Sequence, residues 1–193
     1  MPEVQRRLRA GARVADVGCG AGRGAVRIAQ EFPDCTVVGI DAHPPTIERA
    51  RRAAAEAGVA DRVEFLVADA TAGLPGRFDV VTTFDVVHDA VDPEGLLRAI
   101  HDALVPGGVH VCLDINCSER AEDNVGPIAT LLYGFSVLYC MTTSLAHGGA
   151  GLGTLGLPPS VLRELAGRAG FAEVRQVPMD NPFNNLYELR RSS

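Results

Sequence analysis

A glycine-rich loop carries the strongest chemical signal in this sequence. It reads Asp16-Val-Gly18-Cys19-Gly20-Ala-Gly22 and follows a short, mostly apolar segment. Glycine lets a backbone turn sharply and lets a ligand approach closely, because no Cβ stands in the way. A helix that begins directly after such a loop offers unpaired N–H groups to a polar ligand. Tight strand-to-helix turns also use glycine for packing alone, so the loop needs support from other residues.

The glycine spacing differs from the fingerprint of dinucleotide-binding folds. That fingerprint is G-x-G-x-x-G, and its third glycine, counted from Gly18, falls on Arg23. The loop here reads G-x-G-x-G instead. Because an arginine side chain hinders the close approach of a pyrophosphate, an NAD(P)-dependent oxidoreductase is an alternative and not the first interpretation.

Two acidic residues follow later strand-like segments. Asp41 ends a β-branched run 19 residues after Gly22, where a carboxylate can accept hydrogen bonds from both ribose hydroxyls of an adenosine. Asp69 ends another run, where it can accept from the adenine amine while the N–H of Ala70 bonds a ring nitrogen. Either aspartate could instead cap a helix or a turn. Because the carboxyl ends of parallel strands meet at one edge, these residues, together with Ala42, predict one nucleoside site.

Strand-like and helix-like segments alternate along the first half of the chain. This alternation is typical of a parallel sheet that is covered by helices on both faces. We therefore predict a Rossmann-like α/β fold, a three-layer sandwich around a seven-stranded, mostly parallel sheet whose last strand is antiparallel. The predicted strands are 13–17, 36–40, 63–67, 78–84, 109–113, 171–177 and 185–189. Residues 1–193 are assigned to one domain, in which 116–159 form an insertion or lid.

The composition excludes several classes of function. The chain has no lysine among its 18 basic residues, which excludes a P-loop lysine and a Schiff-base lysine. With 24 acidic residues its net charge is −6, so we expect no nucleic-acid partner. The five cysteines form no C-x-x-C pair, which predicts reduced thiols and a cytoplasmic location. The longest apolar stretch, 128–141, is interrupted by polar residues and is too short for a membrane span, so no membrane partner is expected.

Together these motifs resemble class I S-adenosylmethionine-dependent methyltransferases. The matching segments are 14–22, Val38-Gly-Ile-Asp41, Val67-Ala-Asp69-Ala70, Phe78-Asp-Val-Val and Leu104-Val-Pro-Gly-Gly. The phrase Asp85-Val-Val-His88-Asp89 and residues 122–127 are similar to a narrower group that joins a winged-helix domain to the catalytic domain. The first strand begins close to Met1, so we expect that the winged-helix half is missing here.

The resemblance implies roles for residues at the end of the fourth strand. Phe84 and Asp85 are expected to line the methionine part of the cofactor, together with Asp16 and Cys19 of the loop. His88 is the candidate general base, which is needed only when the methyl acceptor must lose a proton. The same histidine could instead cap the turn that follows the strand.

A metal site is not predicted. Asp114 and Asn116 end the fifth strand, but they do not complete the set of oxygen ligands that a divalent ion requires. His147 lies within the lid segment, beside Gly148 and Gly149, and it could either reach into the site or be an exposed loop histidine. Four large side chains of the lid could form an acceptor pocket or ordinary core, namely Tyr133, Phe135, Tyr139 and Met141.

S-adenosylmethionine is therefore the expected cofactor. The expected reaction is methyl transfer to an oxygen, nitrogen or carbon atom of a small molecule, and a homodimer is compatible with the resemblance. Two alternatives stay open. One is the NAD(P)-dependent oxidoreductase, and the other is a non-catalytic S-adenosylmethionine-binding remnant that lacks its N-terminal domain.

Overall fold

Seven strands and seven α-helices make up the computed structural model, which describes residues 1–192 and leaves only Ser193 outside. The strands are β1 (Arg13–Val17), β2 (Thr36–Asp41), β3 (Val63–Val67), β4 (Phe78–Phe84), β5 (Leu104–Ile115), β6 (Glu173–Val177) and β7 (Asn184–Arg190). The helices are α1 (Pro2–Arg9), α2 (Arg23–Glu31), α3 (Pro44–Glu56), α4 (Pro93–Ala103), α5 (Pro127–Phe135), α6 (Met141–Ala146) and α7 (Pro159–Ala169). A π-helix, Ser136–Cys140, joins α5 to α6.

The strands form one sheet in the order β3-β2-β1-β4-β5-β7-β6. The first five strands are parallel, whereas β7 runs antiparallel to both β5 and β6. The chain order reverses between β1 and β4, and the carboxyl ends on either side of such a reversal border the crevice where α/β sheets bind ligands. The predicted fold class is confirmed, including the antiparallel last strand.

Two cores lie on opposite faces of the sheet. In β1, Val14 packs with residues of α1, α2 and α3, whereas Ala15 and Val17 pack with residues of α4 and α7. Successive side chains of a strand point to opposite faces, so nearly continuous apolar runs bury both faces of the central strands. The result is the helix–sheet–helix arrangement that holds the strand ends in fixed positions.

The strand and helix bounds differ from the sequence prediction in a few places. Helix α1 has no counterpart in the prediction, and β6 begins at Glu173 rather than at residue 171. Strand β5 begins at Leu104 instead of Val109, because Leu104 pairs with Phe78 before a register shift restarts the ladder. The carboxyl ends of β1, β3 and β4 lie where the sequence predicts them, whereas β2 ends one residue later, at Asp41, and β5 two residues later, at Ile115.

The apolar stretch around residue 130 is longer than predicted. Pro127–Ala146 forms one 20-residue helix whose mean hydropathy reaches 1.5, and 28% of the apolar window is buried. By length and composition alone this helix is apolar enough to cross a membrane. The prediction that the stretch is too short and too polar for a span is therefore wrong.

We expect Leu97→Ala in α4 to lower the free energy of unfolding by about 2–5 kcal/mol, because it opens a cavity in the core. The Leu97 side chain is fully buried, whereas Val125 is 78% exposed. Val125→Ala is the matched control and should change stability by no more than about 0.5 kcal/mol. Urea denaturation followed by circular dichroism measures both, and equal losses would contradict the packing described here.

Candidate functional site

The carboxyl ends of β1, β2 and β3 border a first cavity of about 560 Å³. Its walls include Gly18 after β1, Asp41 and Ala42 at the end of β2, and Asp69 and Ala70 after β3. The sequence predicts a nucleoside site at four of these residues, Asp41, Ala42, Asp69 and Ala70, and Gly18 belongs to the predicted glycine-rich loop. The strand register brings them together, although they come from three separate segments of the chain.

The loop after β1 combines a close contact with an open face. Gly18 has a φ of +67°, and a Cβ there would lie 2.6 Å from the Val86 side chain, so the loop packs directly on the segment after β4. Gly20 has a φ of +52°, and a Cβ there would meet no atom within 4 Å. The loop is therefore closed on one side by packing and open on the other, where a ligand can approach the backbone.

Asp41 ties this loop to β2. Its Oδ2 accepts a 2.9 Å hydrogen bond from the Gly20 N–H. Its Oδ1 accepts from the His43 N–H at 2.9 Å and from the Thr46 hydroxyl at 3.3 Å. A carboxylate has about four acceptor positions, so Asp41 serves the turn before α3 and still keeps an acceptor position for a ligand hydroxyl.

Asp69 has a similar double role. Its Oδ1 accepts hydrogen bonds from the Thr71 N–H at 2.9 Å and from the Thr71 hydroxyl at 2.7 Å. These bonds cap the short 3-10 helix Ala70–Ala72, as the alternative interpretation from sequence proposes. The second carboxylate oxygen is not used by that cap, and the residue lines the first cavity.

A second cavity of about 310 Å³ lies on the other side of Gly18. Asp16, Cys19, Arg23 and Phe84 are among its lining residues. The carboxylate and the guanidinium bring opposite charges to one small space, which suits a ligand group that itself carries both charges. Arg23 stands at the start of α2 and is exposed, so it borders this cavity without closing the open face at Gly20.

Asp16 is a buried carboxylate without a cationic partner among its hydrogen bonds. Its Oδ1 accepts a 2.8 Å bond from the Thr82 hydroxyl. Burial raises the pKa of Asp16 to about 6, against the lowering effect of the hydrogen bonds from Thr82 and the Ala25 N–H. Burial also raises the pKa of the neighbouring Cys19 thiol, which therefore stays protonated and unreactive.

Phe84 and Asp85 point to different cavities. Phe84 lines the second cavity beside Gly24. Asp85 has a φ of +57°, in the left-handed region that non-glycine residues seldom adopt, and it lines a third cavity. Its Oδ1 accepts a 2.6 Å hydrogen bond from the Asn184 amide. The unusual backbone at Asp85 is therefore held in place from β7.

The third cavity, of about 420 Å³, has a largely apolar wall. The helical lid segment supplies Leu132, Phe135 and Tyr139, and Phe183 closes the far side. Phe135 and Tyr139 are thus placed as the acceptor-pocket interpretation requires, whereas Tyr133 is turned away and donates its hydroxyl to the Ala121 carbonyl. The first and third cavities share Asp89 as a lining residue.

His88 lies between two carboxylates. Its Nδ1 is 2.6 Å from Asp114 Oδ1, and its Nε2 is 3.1 Å from Asp89 Oδ1. Burial lowers the pKa of His88, but the contacts with Asp114 and Asp89 outweigh this effect and raise the pKa to about 11. A ring that holds both protons at neutral pH is a poor acceptor for a further proton, so this geometry favours a positioning role over general-base catalysis.

Asp114 and Asn116 do not share a site. Asp114 is buried, and besides His88 it accepts hydrogen bonds from the Val87 and Ile115 N–H groups. Asn116 is exposed. Its side-chain amide donates a hydrogen bond to the Pro182 carbonyl, and its Oδ1 accepts one from the Asn185 amide. The strand end therefore does not present these two side chains to one ion.

Some lining residues are not singled out by the sequence analysis. Asn184 and Thr154 reach the third cavity from segments that are distant in sequence. His147, which was a candidate from sequence, lies on the wall of the first cavity, with its Nδ1 2.8 Å from the Thr143 carbonyl. No local pattern marks Asn184 or Thr154, because their placement depends on the antiparallel return of β7 and on the packing of the lid.

A larger cavity of about 680 Å³ lies elsewhere, near the amino ends of the strands. Its lining includes Arg13 and Thr36 at the starts of β1 and β2, together with Arg62 and Glu64. Its lining includes no residue of the glycine-rich loop and none of the predicted cofactor-binding residues. We therefore assign function to the three smaller cavities at the carboxyl edge.

Comparison with known proteins places the chain in one family. A family model described as "Methyltransferase domain" matches residues 8–134. A Ruegeria pomeroyi protein named ubiquinone biosynthesis O-methyltransferase is 38% identical over 112 residues, which cover 58% of this chain and 44% of that protein. A Pseudomonas aeruginosa protein of the same name is 35% identical over 113 residues, covering 58% and 48%. The chain thus matches somewhat less than half the length of these relatives.

Solved structures share the whole fold. The S-adenosylmethionine-dependent methyltransferase SibL in its apo form superposes with a TM-score of 0.74 at 25% identity, covering 98% of this chain and 53% of that one. Human N-acetylserotonin methyltransferase in complex with SAM gives a TM-score of 0.72 at 21% identity, covering 96% and 49%. At the latter identity the likeness shows the fold alone.

We expect Asp16→Asn to raise the free energy of unfolding at pH 7 by up to about 2–3 kcal/mol. The ordinary pKa of an aspartate carboxyl is 3.8, and burial raises the pKa of Asp16 to about 6 in the folded chain. Its ionisation therefore destabilises the fold increasingly between these values and in full above pH 6. Urea denaturation at pH 7 and at pH 4 measures the difference in the free energy of unfolding between Asp16→Asn and the parent chain. This difference should vanish near pH 4. Asp61→Asn, at an exposed position, is the control, and an advantage that persists at pH 4 would contradict the burial effect.

Proposed function

This chain belongs to the methyltransferase-domain family, and we propose that it transfers a methyl group from S-adenosylmethionine to a small molecule. One observation carries the proposal: three cavities follow one another along the carboxyl edge of the sheet. Two of them suit the two ends of the cofactor, and the third is apolar and suits an acceptor. The family match favours this function over the NAD(P)-dependent oxidoreductase.

The nucleoside end of the cofactor fits the first cavity. The spare acceptor position of Asp41 supports a hydrogen bond from a ribose hydroxyl, and the free carboxylate oxygen of Asp69 supports one from the adenine amine. The missing Cβ at Gly20 leaves space beside the loop backbone. These features support the assignment of Gly18, Gly20, Ala42 and Ala70 to the cofactor-binding residues.

The amino-acid end of the cofactor fits the second cavity. An ammonium group beside Asp16 would give that buried carboxylate the positive partner that its raised pKa indicates it lacks. A carboxylate beside Arg23 would find a guanidinium at the cavity rim. We propose that this pair of charges orients the methionine part, with Phe84 packing along it.

Catalysis by this chain rests on position and on the exclusion of water. The cofactor supplies a methyl group on a positively charged sulfur, so the donor is already activated. Leu132, Phe135 and Tyr139 of the lid would hold an apolar acceptor against the sheet edge and keep water away. Orientation of this kind can contribute effective molarities of about 10⁵–10⁸ M. We propose that residues 116–159 act as the lid of a single domain.

We further propose that the acceptor atom is a hydroxyl oxygen of an aromatic or otherwise apolar small molecule. The names of the relatives as O-methyltransferases support oxygen, and the apolar third cavity supports the rest. His88 holds Asp114 and Asp89 in place in this proposal. Oxygen, nitrogen and carbon acceptors all stay within the test below.

The chain also exposes apolar surface that a partner must cover. Leu138 and Tyr139 of the π-helix are 82% and 63% exposed. Other apolar side chains of the same helical segment are also exposed, namely Leu131, Phe135, Val137 and Leu145, and exposed apolar surface of this kind can mark an interaction site. We propose that a second copy of the chain covers it, as a homodimer, and that the protein works in the cytoplasm, where its five unpaired cysteines would stay reduced.

We expect the purified chain to convert S-adenosylmethionine to S-adenosylhomocysteine in the presence of at least one member of a panel of phenols, amines and carboxylates. Asp41→Ala should weaken binding of S-adenosylhomocysteine about 10–100-fold, because a hydrogen bond to a charged group contributes about 1.5–3 kcal/mol. Isothermal titration calorimetry measures the affinity, and Asp61→Ala is the control. Binding without any turnover would favour the non-catalytic remnant, and unchanged affinity would remove Asp41 from the site.

We expect Leu138→Glu to convert a dimer to a monomer, because it places a charge in the proposed apolar interface. Light scattering after size-exclusion chromatography measures the mass of each form. Glu56→Ala, at an exposed position on α3, is the control and should stay dimeric. If the unsubstituted chain is a monomer, the homodimer proposal is wrong. If the unsubstituted chain instead binds lipid vesicles, the apolar patch contacts a membrane surface.

A further inference from the structure

We propose that His88, Asp89 and Cys140 form a binding site for a thiophilic divalent cation such as Zn²⁺ on the wall of the third cavity. One ligating atom from each side chain lies within 4.8 Å of the other two. Small side-chain rotations would place these three atoms around one ion, each at the zinc-to-ligand distance of about 2.0–2.3 Å. The inference goes beyond the proposed function, which needs no metal.

The donor set selects the kind of ion. The three side chains offer an imidazole nitrogen, a carboxylate oxygen and a thiolate sulfur. Zinc accepts this mixture, whereas magnesium and calcium prefer sites built from oxygen alone. The burial of His88 and Cys140 restricts competition from water. We therefore expect zinc, or cobalt as its spectroscopic substitute, to bind in preference to Mg²⁺.

Neighbouring side chains already support these ligands. Asp114 Oδ1 lies 2.6 Å from His88 Nδ1, and a histidine that binds a metal usually donates its other ring N–H to a carboxylate in this manner. This contact directs Nε2 toward Asp89. The Thr154 hydroxyl donates a 3.1 Å hydrogen bond to Cys140 Sγ, which would stabilise a thiolate.

Asp89 supplies an independent observation. Its Oδ1 atom is buried and makes no hydrogen bond of acceptable geometry, although His88 Nε2 lies 3.1 Å away. A buried carboxylate oxygen that lacks a well-aligned partner is unfavourable and calls for an explanation. A cation held between Asp89, His88 and Cys140 would satisfy that oxygen directly.

The site would leave one position open. All three ligands line the third cavity, so a fourth ligand would have to come from that cavity. Three protein ligands with an exchangeable fourth position is the arrangement of catalytic rather than structural zinc sites. The ligands bind as neutral imidazole, carboxylate and thiolate. Binding of Zn²⁺ would therefore release to solvent any proton that the ligating atoms of His88 and Cys140 carry beforehand.

The test uses Co²⁺ and Zn²⁺ on the full chain. We expect one equivalent of Co²⁺ to give thiolate-to-cobalt charge-transfer absorption in the near ultraviolet, and Zn²⁺ to abolish it by displacement. Cys140→Ser should lose this absorption and weaken Zn²⁺ binding by more than about 100-fold, since it removes a direct ligand. Cys117→Ser changes another buried cysteine outside the cluster and should keep both properties.

A second variant separates ligation from folding. Asp114→Asn keeps the side-chain size, touches no ion in this proposal, and should weaken Zn²⁺ binding about 10–100-fold through the orientation of His88. Circular dichroism reports whether each variant keeps the fold. A parent chain without cobalt–thiolate absorption overturns the proposal, as does absorption that survives in Cys140→Ser. Because the readout involves no methyl transfer, these results are independent of the turnover assay.

Discussion

The hydrogen bond from the Gly20 N–H to the Asp41 carboxylate, 2.9 Å long, joins the end of β1 to the end of β2. The same loop packs on Val86 after β4 so closely that Gly18 has no room for a Cβ. Three strand ends are thereby held against one another before any ligand is present. The shape of the first two cavities follows from this constraint, since both have Gly18 in their walls.

Charge is distributed along this edge in a way that suits a cationic cofactor. Six aspartates line the three cavities, namely Asp16, Asp41, Asp69, Asp85, Asp89 and Asp92. Asp16 shows the consequence, because burial without a positive partner raises its pKa. Asp89 shows the opposite case: burial alone would raise its pKa, but the contacts with the His88 ring and the Cys140 thiol outweigh burial and lower it. A ligand with a positively charged sulfur and an ammonium group would therefore relieve repulsion rather than add to it.

Local sequence patterns predicted the first half of the fold well. Apolar runs with β-branched residues mark β1 to β4 to within one residue of their bounds, because β1, β2 and β4 are largely buried and each strand ends at Asp or is followed closely by Gly or Asp. Five lining residues of the first cavity, namely Gly18, Asp41, Ala42, Asp69 and Ala70, were predictable for the same reason, since each lies at or just after a strand end. The start of β5 was not, because pairing of Leu104 with Phe78 is a tertiary effect that overrides the Pro and Gly residues of that segment.

The second half of the chain resists prediction because long-range packing determines it. Nothing in the sequence near Asn184 indicates that its side-chain amide donates a hydrogen bond to Asp85, which lies 99 residues earlier in the chain. Cys140 likewise meets Asp89 only because a π-helix interrupts the lid helix at that point, and such interruptions often occur at functional sites. The third cavity is therefore built almost entirely from contacts between segments remote in sequence. Its shape depends on how residues 116–159 pack, whereas the shape of the first two cavities depends on the strand ends that the sequence reveals.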